Sequence, residues 1–161
     1  GWKENINQVL EKDYQLIWQT GKLDYKNILE ETKDIHSRNI QIVEFIKNME
    51  IAYSAADVIV SRAGAIAISE LAIAKKPVLL VPFPFAAEDH QTKNAQTLVD
   101  KNAAKMVKDT EMKEKFWNTL SEICENESLR KEMSQNLDFF AKPKATEEIV
   151  NEIFKNLNIK E

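Results

Sequence analysis

The chain has 161 residues, of which 43% are hydrophobic and 30% are charged, with a net charge of −4 at pH 7. This length predicts a single domain that needs no disulfide or metal for stability, and the single cysteine, Cys124, excludes an internal disulfide. The weakly acidic charge argues against a nucleic-acid partner, and the pattern shows neither a signal peptide nor an apolar run long enough to span a membrane, so we expect a cytoplasmic domain.

The apolar residues alternate between helical spacing and short continuous runs. This alternation predicts an α/β fold, a Rossmann-like parallel sheet with helices on both faces. In chain order, we predict a helix over 4–12, a strand over 14–19, a helix over 25–32, a strand over 40–46, a helix over 49–56, a strand over 58–60, a helix over 63–74, a strand over 78–81, a helix over 89–100, a strand over 103–107, and two or three helices over 111–157 that break near 142–143.

The first candidate site follows the strand over 58–60, where one glycine, Gly64, is flanked by alanines. Small residues here let a ligand approach the backbone closely. The first-turn N–H groups of Ala65, Ile66 and Ala67 have no partner inside the helix, and the helix dipole adds positive charge, so a phosphate or diphosphate suits this position. The alternative, tight packing of small residues without an anion, stays open.

Glu70 is the only charged residue between positions 63 and 74, on a helix whose composition is typical of burial. An unpaired buried carboxylate is costly, so Glu70 needs partners. Side chains lean toward the N-terminus of their helix, so this carboxylate can reach the free N–H groups and accept hydrogen bonds from a ribose diol. A structural salt bridge with Arg62 or a lysine is the alternative.

The second candidate site follows the strand over 78–81, where His90, Gln91 and Asn94 cluster at a predicted helix start. Their polar side chains can hydrogen-bond a sugar, although an isolated histidine here is more often a surface residue. Neither histidine has a suitably spaced metal-ligating partner, so we expect no metal site. The three glycines exclude a glycine-rich phosphate loop, and no serine lies on a nucleophile elbow.

The C-terminal helices carry apolar residues at helical spacing, which predicts that these stripes face the core. The stripes consist of Phe116, Trp117, Leu120 and Ile123, and of Ile149, Val150, Ile153 and Phe154. Covering a neighbouring domain is the alternative for the second stripe.

Several motifs in fixed order resemble the C-terminal half of the MurG family, the peptidoglycan N-acetylglucosaminyltransferases of glycosyltransferase family 28 with the GT-B fold. The match covers most of the chain and is strongest over 45–107. The motifs are Ala-Ala-Asp-Val-Ile-Val-Ser-Arg-Ala-Gly-Ala at 55–65, Ser-Glu-Leu at 69–71, Pro-Val-Leu-Leu-Val-Pro at 77–82, Asp-His-Gln at 89–91 and Asn-Ala at 94–95.

The resemblance implies that this domain binds UDP-N-acetylglucosamine (UDP-GlcNAc) without a metal or other cofactor. It implies that Glu70 binds the ribose, that the backbone at Ala65, Ile66 and Ala67 meets the diphosphate, and that the Ile46 backbone meets the uracil. His90 and Gln91 stand where the family has a glutamine pair that contacts the sugar, so position 90 departs from the pattern. The full set of predicted donor-binding residues is Ile46, Arg62, Gly64, Ala65, Ile66, Ala67, Glu70, His90, Gln91 and Asn94.

The resemblance also implies partners outside this sequence. The family's N-terminal domain, which holds the acceptor lipid I and the presumed catalytic base, has no counterpart here, and neither do the first strand of the C-terminal domain and its glycine-rich loop. We therefore expect no catalytic residue in this chain, weak or absent UDP-GlcNAc binding and no transfer by the chain alone. The full enzyme is expected to convert lipid I to lipid II by an inverting reaction, as a peripheral protein on the cytoplasmic face of the bacterial inner membrane.

Other interpretations stay open at this point. The chain is either a fragment of a two-domain GT-B enzyme or one subunit of a split UDP-GlcNAc transferase. A half of a non-hydrolysing UDP-sugar epimerase shares the architecture, but it predicts more carboxylates and histidines around the crevice. A nucleotide-sugar-binding domain without chemistry is the remaining alternative.

Overall fold

The computed structural model describes residues 1–156, in which short parallel strands alternate with helices. Single-turn 3₁₀ segments precede the helices that start at His90 and Met112. The strands are β1 (Leu16–Gln19), β2 (Ile40–Val43), β3 (Ile59–Ser61), β4 (Val78–Leu80) and β5 (Lys105–Met106). The helices are α1 (Trp2–Glu11), α2 (Tyr25–Glu31), α3 (Met49–Ala55), α4 (Ala65–Ala74), α5 (His90–Val99), α6 (Met112–Glu125), α7 (Glu127–Asn136) and α8 (Ala145–Asn156).

The strands form two hydrogen-bonded sheets where the sequence predicts one. β1 pairs with β2, with Leu16 opposite Ile40, and a second sheet has the order β3-β4-β5, with Ile59 opposite Val78. All pairs are parallel. A doubly wound sheet has the strand order 3-2-1-4-5-6. If β1 to β5 correspond to strands 2 to 6 of that fold, the two observed sheets are its 3-2 and 4-5-6 portions.

The three-stranded sheet is covered by helices on both faces, as predicted. Val78 and Leu80 on β4 face one core cluster, which contains residues of α4 and α5, including Leu71 and Leu98. Leu79 faces the opposite cluster, which contains residues of α6 and α7. Because every β4 residue is fully buried, this strand reads as a continuous apolar run rather than an alternating one.

Helix α1 and the residue after it contact α6, which covers the second sheet. The Trp2 ring meets the Phe116 ring edge-on, with 5.1 Å between centroids. Lys12 Nζ donates to the Glu125 carboxylate over 2.6 Å. Phe116 is buried, so this contact ties the N-terminal helix to the core beneath the second sheet.

The final helix departs from the sequence prediction of a core-facing stripe. Ile149, Val150, Ile153 and Phe154 on α8 are all exposed, so their assignment to the core is wrong. The spacing correctly predicted an amphipathic helix, but it does not show whether another part of the protein packs against the apolar face. The predicted end of this region at Leu157 lies outside the described residues.

Along the described chain, residues 1–156, every helix is too short or too polar to cross a membrane.

Candidate functional site

The first turn of α4 lies at the carboxyl edge of the second sheet, directly after β3. Gly64 is the N-cap residue, and its carbonyl accepts from the Ile68 N–H over 2.9 Å. A glycine cannot cap with a side chain, so the N–H groups of Ala65, Ile66 and Ala67 have neither a capping side chain from Gly64 nor a partner inside the helix. The Ile66 side chain is 79% exposed, so the start of this helix faces solvent.

The small residues at this turn have two possible explanations, close approach of a ligand and tight internal packing, and Gly64 and Ala63 differ between them. A Cβ atom built on Gly64 meets no heavy atom within 4 Å, and φ is −68°. Glycine is therefore required here neither by internal packing nor by a left-handed backbone. Ala63, in contrast, is fully buried within the core cluster. Tight packing explains Ala63, whereas the open space at Gly64 is compatible with a ligand that approaches the backbone.

Glu70 lies in the second turn of α4 and accepts a hydrogen bond from the Tyr53 hydroxyl of α3 over 3.2 Å. Burial of Tyr53, followed by the nearby Glu70 charge and this hydrogen bond, raises the pKa of Tyr53 to about 12. The phenol is therefore protonated at neutral pH and serves as a donor to the carboxylate. This neutral partner leaves the negative charge of Glu70 intact.

The environment of Glu70 differs from the one predicted. Its side chain is exposed, and α4 contributes only Leu71 and Ala72 to the fully buried residues, so the burial that the composition of this helix suggests is not found. Because Glu70 is exposed, the cost of burying an unpaired carboxylate does not apply to it, and this argument for a partner is lost. Within residues 1–156, the salt bridges include none to Glu70, which leaves the alternative of a structural ion pair with Arg62 or a lysine without support.

Arg62 instead ties the ends of the strands together. Its Nη1 donates to the carbonyls of Val81 and Pro82, each over 3.2 Å, and to the Asp109 carboxylate over 3.0 Å. The guanidinium also lies over the Phe83 ring, 5.5 Å from its centroid. The guanidinium thus has a structural role, and a direct contact with the donor stays a prediction.

Gln91 and Asn94 of α5 both hold the backbone of Ala63. Gln91 Oε1 accepts from the Ala63 N–H over 3.1 Å and from the Phe83 N–H over 3.0 Å. Asn94 Nδ2 donates to the Ala63 carbonyl over 3.1 Å. The two side chains therefore fix the residue that precedes Gly64 and join the loops that follow β3 and β4.

His90 begins α5 and is exposed. Its Nε2 lies 3.5 Å from a Glu88 carboxylate oxygen, and both side chains are mostly exposed. Glu88 and Asp89 have positive φ values of 48° and 58°, which turn the chain sharply into the helix. His90 thus lies on the same edge of the sheet as Gln91, but its described contact is with Glu88.

Ile46 lies apart from these residues, beside a cavity of about 320 Å³ between the β1–β2 pair and α3. Its N–H donates to Gln19 Oε1 over 2.8 Å, so the amide expected to face a uracil ring has a partner within the protein. Phe45 and Ile51 also line this cavity.

Two residues of this edge were missed by the sequence analysis. The sequence predicts only that Tyr53 lies in the helix over 49–56 and that Gln19 lies in the strand over 14–19. Local spacing gives no signal for either contact, because each joins residues far apart in sequence.

Over residues 1–156, no group of three or more His, Cys, Asp or Glu side chains is placed to hold a metal ion.

A comparison with protein families matches residues 3–150 to the glycosyltransferase family 28 C-terminal domain. The chain therefore belongs to this family of glycosyltransferase domains.

Individual relatives agree with this assignment. The chain is 46% identical to a Cytophaga hutchinsonii protein over 97% of its own length and 41% of the relative's, and 40% identical to a Flavobacterium psychrophilum protein over 94% and 41%. Both relatives are named UDP-N-acetylglucosamine–N-acetylmuramyl-(pentapeptide) pyrophosphoryl-undecaprenol N-acetylglucosamine transferase. The crystal structure of Acinetobacter baumannii MurG superposes with a TM-score of 0.78 at 34% identity, over 96% of this chain and 46% of that one.

These comparisons confirm the predicted family and the Rossmann-like α/β class. The chain spans about two fifths of the length of the curated relatives described above.

Proposed function

We propose that this chain is the donor-binding half of an inverting N-acetylglucosaminyltransferase that converts lipid I to lipid II. The proposal rests on the family assignment over residues 3–150 and on the names of the relatives. The single structural observation that carries it is the start of α4, where open first-turn N–H groups lie on the same helix as the exposed carboxylate of Glu70.

The α4 N-terminus would hold the diphosphate of UDP-GlcNAc. Its N–H groups and the helix dipole favour negative charge, and the open space at Gly64 admits a phosphate close to the backbone. As the bond between sugar and diphosphate breaks, charge grows on the departing UDP, and fixed donors at that position stabilise the transition state. We infer that this arrangement replaces a metal ion, so binding should persist in a chelator.

Glu70 would accept hydrogen bonds from the two ribose hydroxyls. The Tyr53 hydroxyl occupies one acceptor position of the carboxylate, and a carboxylate offers about four lone-pair sites. Two hydroxyls can therefore bind without displacing Tyr53. The exposure of Glu70 suits this role better than a structural one.

The remaining predicted contacts divide between the base and the sugar. We propose that Ile46 lies near the uracil. Its N–H can bind the base only if it releases Gln19 Oε1; otherwise the Ile46 carbonyl accepts a hydrogen bond from the base. His90 and Asn94 lie at the start of α5, on the side where the sugar would extend.

An acceptor-binding half would face the carboxyl edge of both sheets. This edge carries exposed apolar side chains after four successive strands, an arrangement that favours a protein or lipid partner over solvent. We infer that this partner brings lipid I and the catalytic base, and that its membrane-anchored substrate places the enzyme at the cytoplasmic face of the membrane. The exposed side chains are Leu23, Phe45, Ile66, Phe83 and Phe85.

The ribose contact provides the sharpest test of the donor site. NMR titration of the 161-residue chain with UDP and with 2′-deoxy-UDP measures what one hydroxyl contributes. We expect the chain to bind UDP weakly but about tenfold more tightly than 2′-deoxy-UDP, because a hydrogen bond to a charged group is lost. In Glu70→Ala, both ligands should bind equally, because the acceptor of that hydroxyl is gone.

Glu132→Ala is the matched control, since Glu132 is exposed on α7, which packs on the opposite face of the sheet. This variant should keep the preference for UDP. If the UDP shifts centred away from α4, or if Glu70→Ala kept the preference for UDP, the proposed donor site would be wrong.

A further inference from the structure

We propose that Gln91 and Asn94 are positioning residues that set the phosphate-binding turn of α4, rather than contacts to the donor sugar alone. The inference rests on the proposed donor site and assigns these two side chains a different role from the one that the family resemblance implies. It is carried by three hydrogen bonds between α5 and the strand ends. Two of them satisfy the N–H and the carbonyl of Ala63, and the third joins Gln91 to the Phe83 N–H.

Ala63 is a critical point in the backbone because it is fully buried and directly precedes Gly64. Its N–H and carbonyl have no access to water, so each needs a partner within the protein. Gln91 Oε1 supplies the acceptor and Asn94 Nδ2 the donor, at 3.1 Å each. The orientation of this peptide determines where the N–H groups of the next three residues point.

The same glutamine oxygen links this turn to the loop that follows β4. It accepts from the Phe83 N–H over 3.0 Å, which leaves the oxygen with two backbone donors. An acceptor used in this way has little capacity left for a sugar hydroxyl. The Arg62 guanidinium braces the same two loops through the Val81 and Pro82 carbonyls. The α4 turn is therefore held in place before any ligand arrives, as a site built for a diphosphate requires.

The experiment compares Gln91→Met and Asn94→Ala with the matched control Gln96→Met. Gln96 lies on the same helix, is exposed, and bonds only to Asp100 among the contacts described for it. Each variant of the 161-residue chain is titrated with uridine, UDP and UDP-GlcNAc by NMR, and its unfolding by urea is recorded. Asn94→Ala removes a single bond and serves as the second test if Gln91→Met does not fold.

We expect Gln91→Met and Asn94→Ala to lower the affinities for UDP and UDP-GlcNAc by the same factor, about tenfold. Uridine binding, which involves no phosphate, should be unchanged, and Gln96→Met should match the wild type for all three ligands. A purely structural role would instead weaken uridine binding as well.

Unchanged UDP affinity together with weakened UDP-GlcNAc binding would show that the two side chains contact only the sugar and would overturn the inference, while the proposed donor site would stand. Equal loss for uridine and UDP would also overturn it. UDP shifts of the wild-type chain that centre away from α4 would instead contradict the proposed function, and this inference with it.

Discussion

At the residue scale, the contact between Tyr53 and Glu70 is the most informative one in the molecule. It holds a carboxylate near the start of α4 without neutralising its charge, because the donor is a phenol rather than a cation. The contact joins two helices that face the candidate donor site. It therefore explains how Glu70 is oriented although it is exposed.

We predict that Tyr53 ionises well above the usual pH for a tyrosine. Ionised Tyr53 would lie partly buried beside a carboxylate, so the folded state favours the neutral form and raises the pKa from 10.0 to about 12. The stability that this neutral phenol contributes is fully present below pH 10 and is lost as the pH rises to about 12. Absorbance at 295 nm should show a late transition that is missing in Tyr53→Phe.

Glu70→Gln should move that transition to lower pH, because the variant removes the negative charge. Glu132→Gln, on the other side of the molecule, should leave it in place. A late transition that persists in Tyr53→Phe would contradict the assignment.

We also predict that Gly64→Ala separates folding from binding. The added methyl group meets no protein atom within 4 Å and φ is compatible with alanine, so stability should fall by at most about 1 kcal/mol, the cost of a poorer N-cap. The same methyl group would occupy the space in front of the first-turn N–H groups, so UDP affinity should fall clearly. Urea unfolding and NMR titration check both parts, and unchanged UDP affinity would indicate that phosphate binds elsewhere.

The sequence was a good guide to which residues reach the carboxyl edge, and a poor one to their hydrogen-bond partners. Gly64, Glu70, Gln91 and Asn94 were all identified, because strand ends and helix starts are visible in local spacing. Their contacts depend on how separate loops meet. The hydrogen bond from Tyr53 and those of Gln91 and Asn94 to Ala63 could therefore not be predicted.

At the scale of elements, β4 is the strand on which both core clusters depend. Leu79→Ala removes a fully buried side chain and should lower the free energy of unfolding by about 2–5 kcal/mol. Leu23→Ala is the matched control, because this leucine is 93% exposed and the change should stay within about 0.5 kcal/mol. Urea unfolding measures both, and equal effects would contradict the assignment of β4 to the core.

The order and type of the elements were predictable because buried parallel strands and amphipathic helices have different apolar periods. Four of the five strands are shorter than predicted; for example, the strand over 40–46 ends at Val43, and the strand over 103–107 is reduced to Lys105–Met106. Hydrophobic residues continue beyond the last paired residue in each case. Hydrophobicity therefore locates a strand better than it locates the residues at which pairing begins and ends.

At the scale of the whole molecule, the structure shows where sequence periodicity stops being informative. The exposed apolar stripe of α8 and the division of the strands into two sheets were both unexpected. Periodicity reports that one face of an element is apolar, but it does not identify what packs against that face.

The same limit applies to the ligand. The fold places the first turn of α4, Glu70 and the two α5 side chains Gln91 and Asn94 on one edge. The family assignment supports UDP-GlcNAc as the molecule that binds there. The central claim is that backbone N–H groups of this turn, without a metal, hold the diphosphate.

The most direct test is a titration of the ¹⁵N-labelled chain with UDP in the presence of EDTA. We expect the largest amide shifts at Gly64, Ala65, Ile66 and Ala67, with the same affinity when Mg²⁺ is added. Shifts centred elsewhere, or binding that appears only with Mg²⁺, would contradict the claim.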